Sequence, residues 1–95
     1  MTSSPFAIPT VHLNGTGYET LHREYNAAYN AVKKAIHALQ ETTCNGRDYY
    51  VQGGSAYYRA RDERQAAIQK LTDTRDYLAE ILVGIIDQKP DRDRL

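Results

Sequence analysis

The stretch 17–41, GYETLHREYNAAYNAVKKAIHALQE, decides the fold. Along it Tyr18, Leu21, Tyr25, Ala28, Val32, Ala35 and Leu39 recur at alternating steps of three and four, and Tyr29 and Ile36 widen the stripe. That spacing stacks apolar side chains on one face of an α-helix in an almost pure heptad seam. Such a helix is roughly 37 Å long. Thr16 followed by Glu19 has the form of a capping box, in which each side chain satisfies an amide at the helix start. At the far end, Thr42-Thr-Cys-Asn-Gly46 stops the pattern, and Asn45-Gly46 suits a left-handed turn.

Working outward, a second helix is expected over residues 56–88. Its stripe is Tyr57, Ala60, Arg64, Ala67, Ile68, Leu71, Leu78, Ile81 and Ile85. Ser55 is placed to act as its N-cap, and Pro90 forbids continuation, which leaves Asp91–Leu95 as a solvated tail. The connection over 42–55 carries Arg47-Asp-Tyr-Tyr-Val-Gln-Gly-Gly54, and it is long for a join between helices, where ordered length usually serves function. Residues 1–15 hold two prolines with Phe6, Ile8, Val11 and Leu13 spaced among them. They read as an extended arm laying its side chains on an apolar surface of its own subunit or of another.

The expected architecture is therefore all-α. It is one domain, a long antiparallel two-helix hairpin with an extended N-terminal arm. A hydrophobic fraction of 41% with 25% charged residues places the chain among ordinary ordered proteins. Each helix of a hairpin has only one partner, however, so apolar surface is left over. Small chains meet that shortfall with disulfides, metals or association. One cysteine, Cys44, excludes an intrachain disulfide. The run Leu78, Ile81, Leu82, Val83, Ile85 and Ile86 nearly encircles its helix and so faces more than one neighbour. Assembly with copies of itself, as a homo-oligomeric helical bundle, is the expectation.

Charge narrows the partners. Lys plus Arg equals Asp plus Glu at 12 each, so no global field draws the protein to long nucleic acid or to an anionic membrane. The start, Met1-Thr-Ser-Ser-Pro-Phe6, lacks the features of a signal peptide, and Ile81–Ile86 is too short to span a bilayer. With the single cysteine, this points to the cytoplasm.

Chemistry concentrates at the loop. Four of the eight tyrosines, Tyr49, Tyr50, Tyr57 and Tyr58, lie within ten residues, flanked by Arg47, Arg59, Arg61 and Arg64. Flat rings stack on nucleobases and guanidinium groups fork onto phosphates, which suits a small nucleotide. The competing reading has the tyrosines capping the hairpin core while the arginines pair with Asp48, Asp62 and Glu63. A second candidate is His12-Leu-Asn-Gly-Thr16, a glycine-bearing turn entering helix one. Free amides there suit an anion, although an ordinary helix start accounts for the same residues. The two regions lie at opposite ends of a hairpin, so they form separate sites or meet only between packed subunits. His12, His22 and His37 lack the spacing of a zinc site, and no catalytic set converges. No enzyme, metal or cofactor is expected.

The runs Ile8-Pro-Thr-Val-His-Leu-Asn-Gly-Thr16 and Asn45-Gly-Arg-Asp-Tyr-Tyr-Val-Gln-Gly53 resemble a family of short proteins of tailed phages and prophages, over about residues 8–86. More loosely, the hairpin with Asn45-Gly-Arg47 in its turn is similar to the phage anti-defence proteins known as sponges. Those proteins oligomerise and trap the cyclic oligonucleotides or cyclic ADP-ribose isomers of CBASS and Thoeris defence. The longer tyrosine loop and the arm depart from that pattern. The resemblance implies action in the cytoplasm of an infected or lysogenic bacterium. Taken together, the loop chemistry and the resemblance make Asn45, Arg47, Tyr49, Tyr50, Gln52, Tyr57 and Arg59 the expected ligand-binding residues, joined by Asn14, Gly15 and Thr16 from a neighbouring subunit. A protein-interaction module, acting on a host or phage protein through the same loop, is the alternative; a virion-assembly role ranks below it.

Overall fold

The structure, a computed structural model, describes residues 4–90. Residues 1–3 of the expected arm and 91–95 of the expected tail lie outside the described part. Two helices dominate: α1, Tyr18–Gln40, and α2, Ala56–Ile86. Two single-turn 3₁₀ segments, Gly46–Asp48 and Tyr50–Gln52, lie between them, and there is no strand among the described residues. The helices pack antiparallel along a rod of 69 × 23 × 21 Å. Its radius of gyration is 19.7 Å. A compact chain of this length would have about 12 Å, so the hairpin is far from a closed globule. Among the described residues, no helix is long and apolar enough to cross a membrane.

The seam on α1 follows the expected stripe except at Ala28 and Ala35, whose places are taken by Tyr29 and Ile36. Tyr18 and Ile36 are buried, and Tyr25, Tyr29, Val32 and Leu39 are half-buried, while Ala28 and Ala35 are exposed. Tyr29 and Ile36 thus sit in the contact line, and the alanines one residue before them face out. Either choice at these two places keeps steps of three and four along the helix, so spacing does not separate them. Side-chain size does: a ring and a branched chain fill the space between helices and remove more apolar area from water than two methyl groups. On α2 the half-buried or buried positions include Tyr57, Ala60, Arg64, Ile68, Leu71, Leu78, Ile81 and Ile85; Ala67 drops out to solvent.

The caps also differ from expectation. The α1 N-cap is Gly17, whose carbonyl accepts the Leu21 N–H at 3.1 Å, and no side chain caps it. Thr16 falls one residue outside the helix, so the Thr16–Glu19 capping box does not form. Ser55 precedes α2 but makes no capping bond through its hydroxyl. Asn45 is extended at φ −131°, and Gly53, at φ 120°, is the one described residue with positive φ. The expected left-handed turn at Asn45-Gly46 is therefore absent.

What closes the C-terminus of α1 is a side chain from the other helix. The Arg64 guanidinium donates to the carbonyls of Leu39 at 3.0 Å, Gln40 at 2.8 Å and Thr42 at 3.0 Å, and to the Thr42 hydroxyl at 3.2 Å. The last carbonyls of a helix have no partner within it, and they carry its negative dipole end. A planar cation with several donors answers both needs and ties the two helices together at the loop end.

At the other end the arm supplies a third layer. It runs alongside α2 in the same direction, with Phe6 edge-on to Tyr77 at 5.0 Å between ring centroids. Ile8 lies over Gly84, where a Cβ would come within 2.5 Å of its Cγ2. The Gln88 side-chain amide accepts from Val11 N–H at 2.8 Å and donates to the carbonyls of Pro9 at 2.9 Å and Gly84 at 3.0 Å. Beneath the arm, Ile81 and Ile85 are only 1% and 0% exposed, in a cluster with Tyr18 joined by Ile8, Val11, Leu21 and Tyr25. Leu13, expected to join the arm's contact face, is instead 98% exposed. The helix α2 ends at Ile86, short of the expected 88. Bonds from Gln88 N–H to Ile85 C=O and from Lys89 N–H to Ile86 C=O tighten its last turn ahead of Pro90, which disfavours helical backbone at the residue before it.

Replacing Arg64 with methionine keeps an aliphatic stem in the seam and removes every donor. The expected loss is about 2 kcal/mol of stability, with lysine restoring only part of it because it lacks the fork. Urea unfolding followed by circular dichroism would read the difference.

Candidate functional site

The loop end of the rod is built by two successive tight turns. Asp48 N–H donates to Asn45 C=O and Tyr49 N–H to Gly46 C=O; Gln52 N–H then donates to Tyr49 C=O and Gly53 N–H to Tyr50 C=O. Tyr49 is half-buried, whereas Tyr50 and Val51 are 72% and 76% exposed. Gly53 takes a φ that a side chain would disfavour, and it lets the chain turn out of the second 3₁₀ segment into α2.

The tyrosines divide into two roles. Tyr57, on the first turn of α2, is half-buried and lies 6.5 Å from Tyr49 and 5.3 Å from Tyr58 between ring centroids. Tyr49 and Tyr57 thus close the top of the hairpin. Tyr58 is largely exposed and carries the Arg61 guanidinium over its ring at 5.2 Å.

The arginines divide as well. Arg64 is committed to the α1 carbonyls. Arg61 also meets Asp62 at 3.3 Å, and Arg59 approaches Glu63 at 4.0 Å. Both pairs are solvated and contribute little stability, so a stronger anion can displace them. Arg47 is exposed on the first 3₁₀ turn and makes no ion pair among the described residues. The mixture answers both readings of the cluster: half of the tyrosines finish the core, and the rest present rings to solvent.

A hollow of about 110 Å³ opens between Tyr49, Gln52, Ala56, Arg59, Ala60 and Glu63. Sites that enclose a small molecule usually measure about 300–1,000 Å³. At this hollow, one subunit therefore offers a partial wall rather than a pocket. Ala56 and Ala60 were not among the anticipated residues. Their spacing around Arg59 along one helix face, at three back and one on from it with Glu63 four on, was the available signal.

Asn45, Arg47, Tyr49, Tyr50, Gln52, Tyr57 and Arg59 all gather at this end. Asn14, Gly15 and Thr16 do not. They lie exposed in the turn between arm and α1, where Gly15 N–H donates to His12 C=O at 3.1 Å. The length of α1, about 35 Å, separates the two groups within one chain. No cluster of three or more histidine, cysteine, aspartate or glutamate side chains suited to a metal ion occurs among the described residues. Compared with protein-family models, curated proteins and solved structures, the chain matches none.

Stability separates the tyrosine roles. Tyr50→Ala should leave the unfolding midpoint almost unchanged, within about 0.5 kcal/mol, as expected for an exposed side chain. Tyr57→Ala should cost about 2 kcal/mol through lost ring packing. Thermal melts of the two variants, read side by side, test the assignment.

Proposed function

We propose that this chain is a binding protein that captures a small nucleotide messenger between copies of itself, in the manner of a phage anti-defence sponge acting in the host cytoplasm. The observation that carries the reading is the gathering of the exposed Tyr50 and Arg47 at the same end of the rod as Arg59, which lines a small hollow with Tyr49 and Gln52. Rings in that setting take a base on their faces, and the guanidinium groups take its phosphates. Balanced overall charge favours a compact ligand over a long strand.

The small hollow supports a site completed by another subunit. An antiparallel neighbour brings its Asn14, Gly15 and Thr16 alongside this loop, and their backbone amides and side chains would close the open wall. Self-association also answers the thin core, because most of the rod is only two layers deep. Sequestration needs affinity and abundance, with no bond made or broken.

A second reading, a module that engages a host or phage protein, is favoured by Val51. Val51 adds exposed apolar surface that base stacking does not use, beside Tyr50 and Arg47, residue types that also anchor protein interfaces.

Native mass spectrometry and calorimetry with cyclic dinucleotides, cyclic trinucleotides and cyclic ADP-ribose isomers discriminate the two. The expected result is a defined oligomer taking up a fixed number of one ligand. Arg47→Ala with Tyr50→Ala should weaken that binding at least about 30-fold, since a charged contact and a stacked ring each contribute on the order of 1–3 kcal/mol. The oligomer should survive. Undiminished binding by the double variant would remove the loop from the site, and indifference to every nucleotide would favour the protein-interaction reading.

A further inference from the structure

The arm end of the rod has an opening of its own. A hollow of about 450 Å³ lies against the start of α1, lined by Gly17, Tyr18, Glu19, Thr20, Lys89 and Pro90. Unlike the hollow beside Arg59, it falls within the range of about 300–1,000 Å³ usual for sites that enclose a small molecule. Three kinds of donor meet there. The amides of Tyr18, Glu19 and Thr20 have no acceptor among the described residues, because no side chain caps α1 and Leu21 N–H is the first to be bonded. Lys89 makes no ion pair among the described residues. The third donor is the Tyr18 hydroxyl. Tyr18 is only 9% exposed and packs against Ile81 and Ile85, yet no described residue hydrogen-bonds its oxygen. Hydroxyls on side chains buried to this degree are ordinarily paired. No fully buried side-chain nitrogen or oxygen lacks a partner among the described residues, so this oxygen meets open space. The hollow is the open space that Tyr18 lines.

We propose that this hollow binds a small organic anion, a carboxylate or phosphate monoester carried on an apolar body. The free amides and the positive end of the α1 dipole favour anionic oxygens, and Lys89 adds a full charge. The Tyr18 hydroxyl finds in the ligand the acceptor it otherwise lacks. Pro90 and the Tyr18 ring offer apolar surface to the body. Glu19, exposed on the same turn, opposes such a ligand, which gives the site a sign that can be tested. The site belongs to one subunit and stands whether or not a nucleotide binds at the loop end.

The test is a titration of the full chain, isotope-labelled, with benzoate, phenyl phosphate and inorganic phosphate at constant ionic strength, followed by amide NMR. At least one of the two aromatic anions should give saturable shifts at Glu19, Thr20 and Lys89. Inorganic phosphate, lacking the apolar body, should bind at least about tenfold more weakly. Lys89→Gln should weaken binding about tenfold and Tyr18→Phe about threefold or more, whereas Glu19→Gln should tighten it. Lys89 and Glu19 are exposed, so their variants keep the test open should Tyr18→Phe disturb the core. Shifts that never saturate, equal binding of inorganic phosphate, or affinities unmoved by Lys89→Gln and Glu19→Gln would overturn the proposal. Shifts confined to the amides of residues 45–52 would also overturn it, while favouring the loop-end site.

Discussion

A helix in a two-helix hairpin can hide only one of its faces, and nearly everything else in this molecule follows from that constraint. Two layers leave a seam half-open to water along most of the rod. Full burial occurs chiefly where a third layer is added, and the chain adds one by folding its own N-terminal segment onto α2. Ile81 and Ile85 are the most enclosed residues because they lie under that segment and opposite Tyr18 at once. The apolar area buried there is the main source of stability at that end, at about 25 cal/mol per Å².

The two ends of the rod solve different problems with polar side chains. At the loop end the task is electrostatic: carbonyls at the close of α1 need donors, and Arg64 supplies them from the opposite helix. At the arm end the task is geometric, since an extended segment has unpaired main-chain groups, and Gln88 pairs two of them. Both devices join segments distant in sequence, so each fixes tertiary structure while satisfying local valence. Through Thr42, Arg64 also fixes where the loop leaves α1.

Much of the hairpin was legible in the residues. The alternation of threes and fours in 18–39 and 57–85 marked two amphipathic helices, and the glycines with Ser55 marked the start of the second. The α1 stripe was legible except at 28/29 and 35/36, where neighbouring positions suit the same period and only side-chain volume chooses between them. The caps were misjudged for a related reason. Thr16–Glu19 and Asn45-Gly46 are local signals, whereas the actual α1 start lies at Gly17 and its close depends on Arg64, more than twenty residues away. At the loop, the clustering of tyrosines was plain, but the division between inward Tyr49 and Tyr57 and outward Tyr50 and Tyr58 depends on two 3₁₀ turns that have no clear periodic signature. The separation of Asn14–Thr16 from the loop followed from helix length alone.

The way Gln88 holds the arm has an evolutionary consequence. Because its amide engages main-chain atoms of Pro9 and Val11, the identity of Thr10 between them, exposed and unbonded among the described residues, contributes little to docking. Substitutions at Thr10 can accumulate at small cost, while any side chain at Gly84 collides with Ile8 and any residue without an amide at position 88 leaves two main-chain groups unpaired. Variation among descendants of this chain should therefore be tolerated at Thr10, and constancy should fall on Gly84 and Gln88 of the surface that receives the arm.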